Sequence, residues 1–444
     1  MASGRPHRAW GGAEGRAFRA VERAVPPAEA GGRAAAVLTA LGLRAELLDA
    51  GAGRDPTAWS CELLGGADSP VACGMGKGRP AEARVGALFE ALEHYLTGPA
   101  WFDPAVVEPA PPTRLAAGPL RANVCAPLLA GMSGRRMACL RYRPLGRGRE
   151  ALVPLFLSAP WYVETGAARL RELAGDDCDY ADLMRYSCNS GSAAGLSTAE
   201  AILHALNEAI ERDALSLLLV RAFLGGGGFR PRLIDPETLP AGPARAYATA
   251  EELTGSPVHL LDITSDIGVP TMLAYTAPTS GHPHRRGAGT SLSPAYAAWR
   301  ALTELVQATL GEGLSPSGAR RDLTGLAAHP TLRACGRFDL TGPLREARVV
   351  PFPRVAWVAE PPARQLRKVV AMLATRSLTA FHRTVCALPG GVTAVHVIVP
   401  ALERFMLITD GNLVIPGGRA RAAVAAPPRA FAAAWRVSEP MPSD

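Results

Sequence analysis

A single large mixed α/β domain is the fold class that this sequence predicts, on three observations. Helical and strand-like periodicities alternate along the chain with no segment that reads as a linker. The composition, 48% hydrophobic and 20% charged over 444 residues, supplies a core and does not match a disordered chain. One short pattern, Ala-Leu-x-Glu-x-x-Glu/Gln, also recurs as "ALFEALE" from Ala87, "ALNEAIE" from Ala205 and "ALTELVQ" from Ala301. Three similar helices are therefore expected within one unit.

Residues 1–30, rich in Gly, Arg and Ala, are expected to form a flexible arm. "GGRAAAVLTALGLRAELLDA" reads as a short helix and a strand before the turn at "GAGRDP". "WSCELLGG" and "SPVACGMGKG" read as a hairpin that opens into a loop carrying Lys77. These elements make 31–73 the N-terminal part and 74–425 the core. The first repeat helix is placed at Pro80 to Thr97, and 101–160 are read as strands and Pro-rich connections. "GDDCDYADL" is read as an acidic surface loop. The second repeat helix, Thr198 to Leu219, is the clearest. "PVHLLDIT" and "TMLAYTA" are strand candidates, followed by a Gly/Arg loop and the third helix, Pro294 to Leu310. "TAVHVIVP" and "RFMLITD" are read as late strands, and 426–444 as a proline-containing tail.

Several function classes are excluded at this level. The net charge is +7, but the chain has only two lysines, Lys77 and Lys368, and its 45 arginines are scattered among Ala and Pro. No basic helix or aromatic-basic strand pattern accompanies them, so nucleic acid is not an expected partner. Neither a membrane span nor the apolar core of a signal peptide is visible, and a cytoplasmic protein is expected. The eight cysteines never form Cys-x-x-Cys, so a zinc site is not expected. "GGGG" at 225–228 lacks the Gly-Lys-Ser/Thr of a phosphate-binding loop and is read as a flexible connection.

The second repeat helix shows what the pattern is for. At 100° per residue, Glu200, Asn207, His204, Glu211 and Glu208 fall within an arc of about 100°, opposite Ile202, Leu206 and Ile210. An ordinary solvated face would intersperse opposite charges at i,i+4, and this one has carboxylates and no lysines, with Arg212 at its margin. The same positions recur as Glu90 and Glu93, and as Glu304 and Gln307. Six such groups aimed at one centre would repel unless a cation lay among them. Mg2+ takes hard oxygen ligands and usually shares them with substrate phosphates. The pattern therefore predicts a nucleoside triphosphate site without a P-loop.

"GSAAGLSTAEAILHALNEAIERDA" is similar to the signature of YcaO-domain proteins, with Gly-x-Ala-x-Gly, Glu-Ala and Glu-x-x-Glu-Arg. "GKGRPAEARVGALFEALEHY" resembles the family's Gly-Lys-Gly and Glu-x-x-Glu segment, and "GAGTSLSPAYAAWRALTELVQ" its Glu-x-x-Gln helix. "SGARRD" at 317–322 and "VIVPALE" at 397–403 resemble later family elements, so the likeness runs from about Gly74 to Glu403. It implies one YcaO-type domain whose three glutamate-bearing helices surround a central ATP site. Glu90, Glu93, Glu208, Glu211 and Glu304 would hold Mg2+, while Lys77, Glu200, Arg212, Gln307 and Arg320 would bind the nucleotide. The tail, Glu439 to Asp444, resembles a shortened version of the family's Pro-x-Pro-x-Pro end. Pro440 and Pro442 would bring the Asp444 carboxylate to the chemistry. The chain departs from the family at Gly86 (usually Ser), His94 (usually Arg) and Leu196, near a common Gly-Asn-Thr.

The resemblance implies a cyclodehydratase that phosphorylates backbone amides of a precursor peptide to make thiazoline or oxazoline rings. A separate ubiquitin-activating-like protein would recognise the leader, and a flavin-dependent dehydrogenase would oxidise the rings. Thioamide or amidine formation by the same ATP chemistry is the second reading, and a noncatalytic scaffold the third. The oligomeric state is left open, with a homodimer as one option.

Overall fold

The computed structural model describes residues 22–280, 284–312, 322–355 and 358–424. Helix α1 (Pro27–Ala40) begins behind Pro26 and leads into an antiparallel sheet of β1 (Arg44–Asp49), β2 (Thr57–Leu64) and β3 (Pro70–Gly78). Helix α2 (Pro80–Leu96) follows after one residue and lies back on this sheet. Pro80 at its first position suits a start where the backbone N–H would have no partner.

A second sheet begins with β4 (Glu108–Ala110), β5 (Met137–Pro144), β6 (Ala151–Pro154) and β7 (Ser192–Gly195). Out of β7 runs the long central helix α3 (Thr198–Phe223), whose Ser197 hydroxyl accepts the Glu200 N–H at 3.2 Å as an N-cap. The third sheet is built from β8 (Arg232–Ile234), β9 (His259–Asp262), β10 (Thr271–Thr276), β11 (Arg285–Thr290) and β12 (Arg348–Val350). Its order is β11-β10-β9-β8-β12, with β12 parallel to β8. Helix α4 (Ala241–Thr254) connects β8 to β9, and α5 (Pro294–Gly311) follows β11. Helix α6 (Pro362–Thr375) then precedes β13 (Phe381–Ala387) and β14 (Thr393–Ile398), which complete the second sheet as β4-β5-β13-β14-β7.

The expected recurrence is a recurrence of strand and helix together. Each of β3, β7 and β11 passes within a few residues into α2, α3 or α5, and each strand is made of small residues where the helix lies on it. A Cβ on Gly76 would stand 1.8 Å from the Ala83 carbonyl oxygen, and one on Gly74 2.3 Å from the Ala91 N. On β11, a Cβ on Gly287 or Gly289 would stand 2.3 Å from the carbonyl oxygen of Ala301 or Ala297. The helices meet these glycines with fully buried alanines, Ala83, Ala87 and Ala91 on α2, and Ala297 and Ala301 on α5. Helix backbone thus rests almost directly on strand backbone.

Four expectations need correction. The Gly/Arg segment before the third helix is strand β11, because its alternating glycines are what let α5 pack there. "RFMLITD" is a 3-10 turn over Phe405–Asp410, not a strand, with its apolar residues buried beneath α3. Lys77 belongs to β3 and not to a loop, so β3 spans the 73/74 boundary. Within the segment read as a flexible arm, residues 22–30 are built into the structure: Glu22 is buried and α1 starts at Pro27.

A glycine pair tests this packing. Gly287→Ala should destabilise the protein by about 3 kcal/mol through overpacking, lowering its urea midpoint. Gly32→Ala, in mid-α1 with nothing within 4 Å of the added methyl, should instead stabilise by up to about 1 kcal/mol.

Candidate nucleotide and metal site

The three strand–helix units turn their acidic faces toward one cavity of about 760 Å³, in the range of small-molecule sites. Lys77, Glu90, Glu93, Glu200, Glu208, Glu211, Arg212, Glu304 and Gln307 all line it. Nine of the residues singled out from sequence therefore share one space. Arg320 lies outside the described residues, as do Pro440, Pro442 and Asp444.

The close packing sets the carboxylates. Glu90 on α2 accepts the Met75 N–H at 3.0 Å, from the residue between Gly74 and Gly76. Glu304, its counterpart on α5, accepts the Ala288 N–H at 3.3 Å, between Gly287 and Gly289. In both units one oxygen is anchored to the strand. The other Glu304 oxygen pairs with Lys77 across the cavity. The third counterpart, Glu208, pairs instead with Arg212 on its own helix at 3.3 Å.

Charge is crowded here. Burial raises the Glu211 carboxyl to about 7, and the neighbouring Glu304 charge adds to the rise. Burial also pushes Glu93 well above the usual carboxylate range, with Glu208 and Glu90 reinforcing it. Glu90 is raised mainly by burial. For Glu304 burial works the same way, but Lys77, Arg212 and the Ala288 N–H together outweigh it and hold the carboxyl low. His204 is kept neutral by burial and by the charges of Arg300, Arg23 and Lys77.

Glu200, on the cavity wall, also anchors the N-terminal segment. Its two oxygens accept Arg23 Nη1 at 3.3 Å and the Ala24 N–H at 3.0 Å, fastening the segment before α1 to the cavity wall. Next to it Glu22 is buried, accepting Ser291 Oγ at 2.5 Å and Asn207 Nδ2 at 3.3 Å. Glu403, from "VIVPALE", stands away from the cavity. It accepts the N–H groups of Gly417 and Ala420 at 2.7 and 2.8 Å. Sequence reasoning missed Arg23, Arg286 and Arg300 as cavity residues. A wheel drawn on α5 would have found Arg300, one turn before Glu304. Arg23 carries no such signal, since only the tertiary path of the N-terminal segment brings it here.

The departures have local reasons. A Cβ on Gly86 would stand 3.3 Å from Gly76 Cα, so a side chain there is tight. His94 turns its Nδ1 to the Cys73 carbonyl oxygen at 2.7 Å. Leu196 packs among residues of α1 and α2 while lining the cavity.

Among the described residues no three His, Cys, Asp or Glu side chains close into a ready-made metal cluster. Mg2+ takes hard oxygen ligands and shares its shell with waters and phosphate oxygens. The donor set fits the ion: hard oxygens, mutually repelling, around a space of nucleotide size.

Such an arrangement defines a protein that handles a multiply charged anion through carboxylates and bridging cations. The family described as YcaO cyclodehydratase, ATP- and Mg2+-binding, matches residues 75–403, and the chain belongs to that family. It is 33% identical over 146 residues to a protein from the tfuA 3′ region of Rhizobium leguminosarum bv. trifolii, covering 31% of this chain and 33% of that one. A Methanothermobacter thermautotrophicus protein is 30% identical over 168 residues, covering 35% of this chain and 41% of that one. The chain thus spans between a third and about two fifths of these curated relatives. Its fold is similar to that of YcaO from Methanopyrus kandleri bound with AMPPCP and Mg2+, at TM-score 0.61 and 18% identity over 90% of this chain and 97% of that one. A heterocyclase in complex with substrate and cofactor is also similar, at TM-score 0.61 and 18% identity over 87% and 54%. Among the described residues no helix is long and apolar enough to cross a membrane.

A pH dependence follows. Between the ordinary carboxyl value of 4.5 and about 7, folded Glu211 keeps a proton that the unfolded chain has lost. Stability of the cation-free protein should therefore fall as pH rises through that window, and Glu211→Gln should flatten the fall. Because Mg2+ competes with that proton, the thermal upshift from Mg2+ and ATP should be larger above pH 7 than below it. Scanning fluorimetry across pH checks both.

Proposed function

We propose that this chain is an ATP-dependent cyclodehydratase acting on backbone amides of a precursor peptide in ribosomal natural-product biosynthesis. The observation that carries it is the convergence of three glutamate-bearing helices on one cavity, in a chain that belongs to this family. A Cys thiol or Ser/Thr hydroxyl of the peptide attacks the preceding amide carbonyl, and the amide oxygen takes the γ-phosphoryl of ATP. Loss of phosphate with one amide proton then closes the C=N bond of a thiazoline or oxazoline. Peptide and ATP give azoline, ADP and phosphate, so the oxygen that leaves the amide ends in phosphate.

The protein contributes alignment and charge. Glu90, Glu93, Glu208, Glu211 and Glu304 would hold Mg2+, which when bound neutralises the triphosphate and the developing charge. Lys77 and Arg212 already stand in the cavity as fixed cations. Arg212 suits a planar contact with phosphate, and Arg320 would join it. Gln307 would bind the nucleotide as an amide, adding no further negative charge. Glu200 would line the nucleotide site while holding Arg23 at the wall. Leader recognition by a ubiquitin-activating-like partner and oxidation by a flavin enzyme complete the pathway in this reading.

The test uses the peptide, ATP and Mg2+ with an 18O-labelled amide. Each ring should cost the peptide one water, and the label should appear in phosphate. Glu208→Gln should lower peptide-dependent ADP release at least about a hundredfold while leaving the fold intact. Wild-type turnover in that variant would remove the site assignment. Replacement of amide oxygen by sulfur, read as mass, would replace azoline formation by thioamidation.

The tail has its own test. Proline stiffens an extended chain, so Pro440 and Pro442 would guide the Asp444 carboxylate to the reacting amide, where it can accept a proton. Deleting Glu439 to Asp444 should sharply lower cyclisation with ATP binding retained, measured by mass spectrometry beside a nucleotide titration. Unchanged cyclisation would show the tail to be only a terminus.

A further inference from the structure

A second cavity, of about 180 Å³, lies against the same sheet as β7. It is too small for a nucleotide or a drug-sized ligand, but suits one large side chain. Its floor is a cross-strand row. Ser192 on β7 pairs in register with His396 on β14, which pairs in turn with Arg383 on β13, and all three line the space. Its walls are aromatic, with Trp101, Phe102 and Trp161, and Phe102 and Trp161 pack edge to face at 5.6 Å.

The floor is polar and not fully used. Ser192 and His396 are each 2% exposed, and Ser192 Oγ makes no hydrogen bond within the protein. His396 Nδ1 is held by the Tyr142 hydroxyl at 2.9 Å. Burial, with the Arg404 charge, pushes the ring's pKa down to about 3, so it is neutral. The Ser190 backbone takes up a further hydrogen bond of the ring, which leaves the Ser192 hydroxyl as the floor group without a partner. Buried polar groups without partners are rare and costly, and one at the floor of an aromatic pocket marks a place for a polar-tipped ring.

The pocket adjoins the nucleotide cavity. Ser192 and Ala194 lie two residues apart on one face of β7, Ser192 in the small pocket and Ala194 in the large one. That spacing is about 7 Å. Helix α2 repeats the relation, with Glu93 and His94 lining the large cavity and Leu96, at the helix's end, lining the small one. An extended peptide crosses such a distance in two or three residues.

We propose that this pocket receives an aromatic side chain with a polar tip, tyrosine above all, from the substrate peptide a few positions from the modified amide. The inference rests on the peptide substrate proposed above. The ring lies among Trp101, Phe102 and Trp161, with the Arg383 guanidinium available to its face. Its hydroxyl both donates and accepts, and so satisfies Ser192. Phenylalanine would fill the space but leave the floor unpaired, which makes the site selective by the polar tip.

The test is saturation-transfer NMR on the full chain with N-acetyl-L-tyrosinamide as probe and N-acetyl-L-alaninamide as control. The tyrosinamide ring protons should take saturation and the alaninamide should not. Ser158→Phe, which places a ring in the pocket from a half-buried wall position, should abolish the signal. Ser192→Ala, which removes a hydroxyl with no partner in the protein, should weaken binding about fivefold and keeps the test valid if the first variant does not fold. Saturating ATP should leave the signal in place. Absence of ring saturation, or equal affinity in wild type and Ser192→Ala, would overturn the proposal. The readout needs no turnover. Probe binding without any ATP-dependent peptide modification would uphold the pocket and remove the function proposed above, whereas modification without probe binding would remove the pocket alone.

Discussion

Backbone laid on backbone is the constraint on which the rest of this structure depends. At β3 and β11 the strands present glycine toward a helix, and any Cβ there would overlap the helix's own carbonyl oxygens. Because the helix comes so near, a glutamate on it can reach a strand N–H, as Glu90 reaches Met75 and Glu304 reaches Ala288. A side chain of ordinary size on the strand would lift the helix and carry its carboxylates away from those donors. Packing and site are therefore one design: the small residues that let the layers close also aim the charged ones.

The electrostatic consequence is a cavity that needs cations. Carboxylates from three helices share it, and burial and mutual repulsion raise Glu93 and Glu211. Part of the charge is offset from within, by Lys77 on Glu304, Arg212 on Glu208 and Arg23 on Glu200. These pairs differ in kind. Arg23 and Glu200 tie a segment of backbone in place, since the neighbouring Ala24 N–H binds the same carboxylate. Lys77 and Arg212 are single side chains that can face a phosphate. A divalent ion brought in with a triphosphate answers the remaining repulsion, which is why an ATP site can be built here without a glycine-rich phosphate loop.

Alongside it, the second sheet extends the same surface into a smaller, aromatic space. Two successive positions of β7 on one face divide the tasks, with Ala194 toward the charged cavity and Ser192 toward the aromatic one. The proposed phosphoryl transfer to an amide needs the peptide held in register with the nucleotide, and a side-chain pocket one step along the strand would supply such a hold. In the proposed reading the charged cavity would take the nucleotide and the aromatic pocket a side chain of the peptide.

Much of this was legible in the sequence. The helices carrying Glu90, Glu208 and Glu304 could be placed within a few residues, because their periodicity and capping are local properties of the chain. The clustering of their carboxylates could be inferred too, since an acidic face repeated on three helices points to a common cation. What the tertiary structure alone decided is non-local. The segment at 285–290 is a strand because α5 packs against its glycines, although glycine taken alone argues for a loop. Glu200 serves as an anchor because Arg23, from far away in sequence, folds onto it. The row Ser192, His396 and Arg383 exists only through the pairing of β7, β14 and β13. Local sequence sets what each helix face carries, whereas strand register and long-range packing set which faces meet, and neither register nor packing is written within any single window of residues.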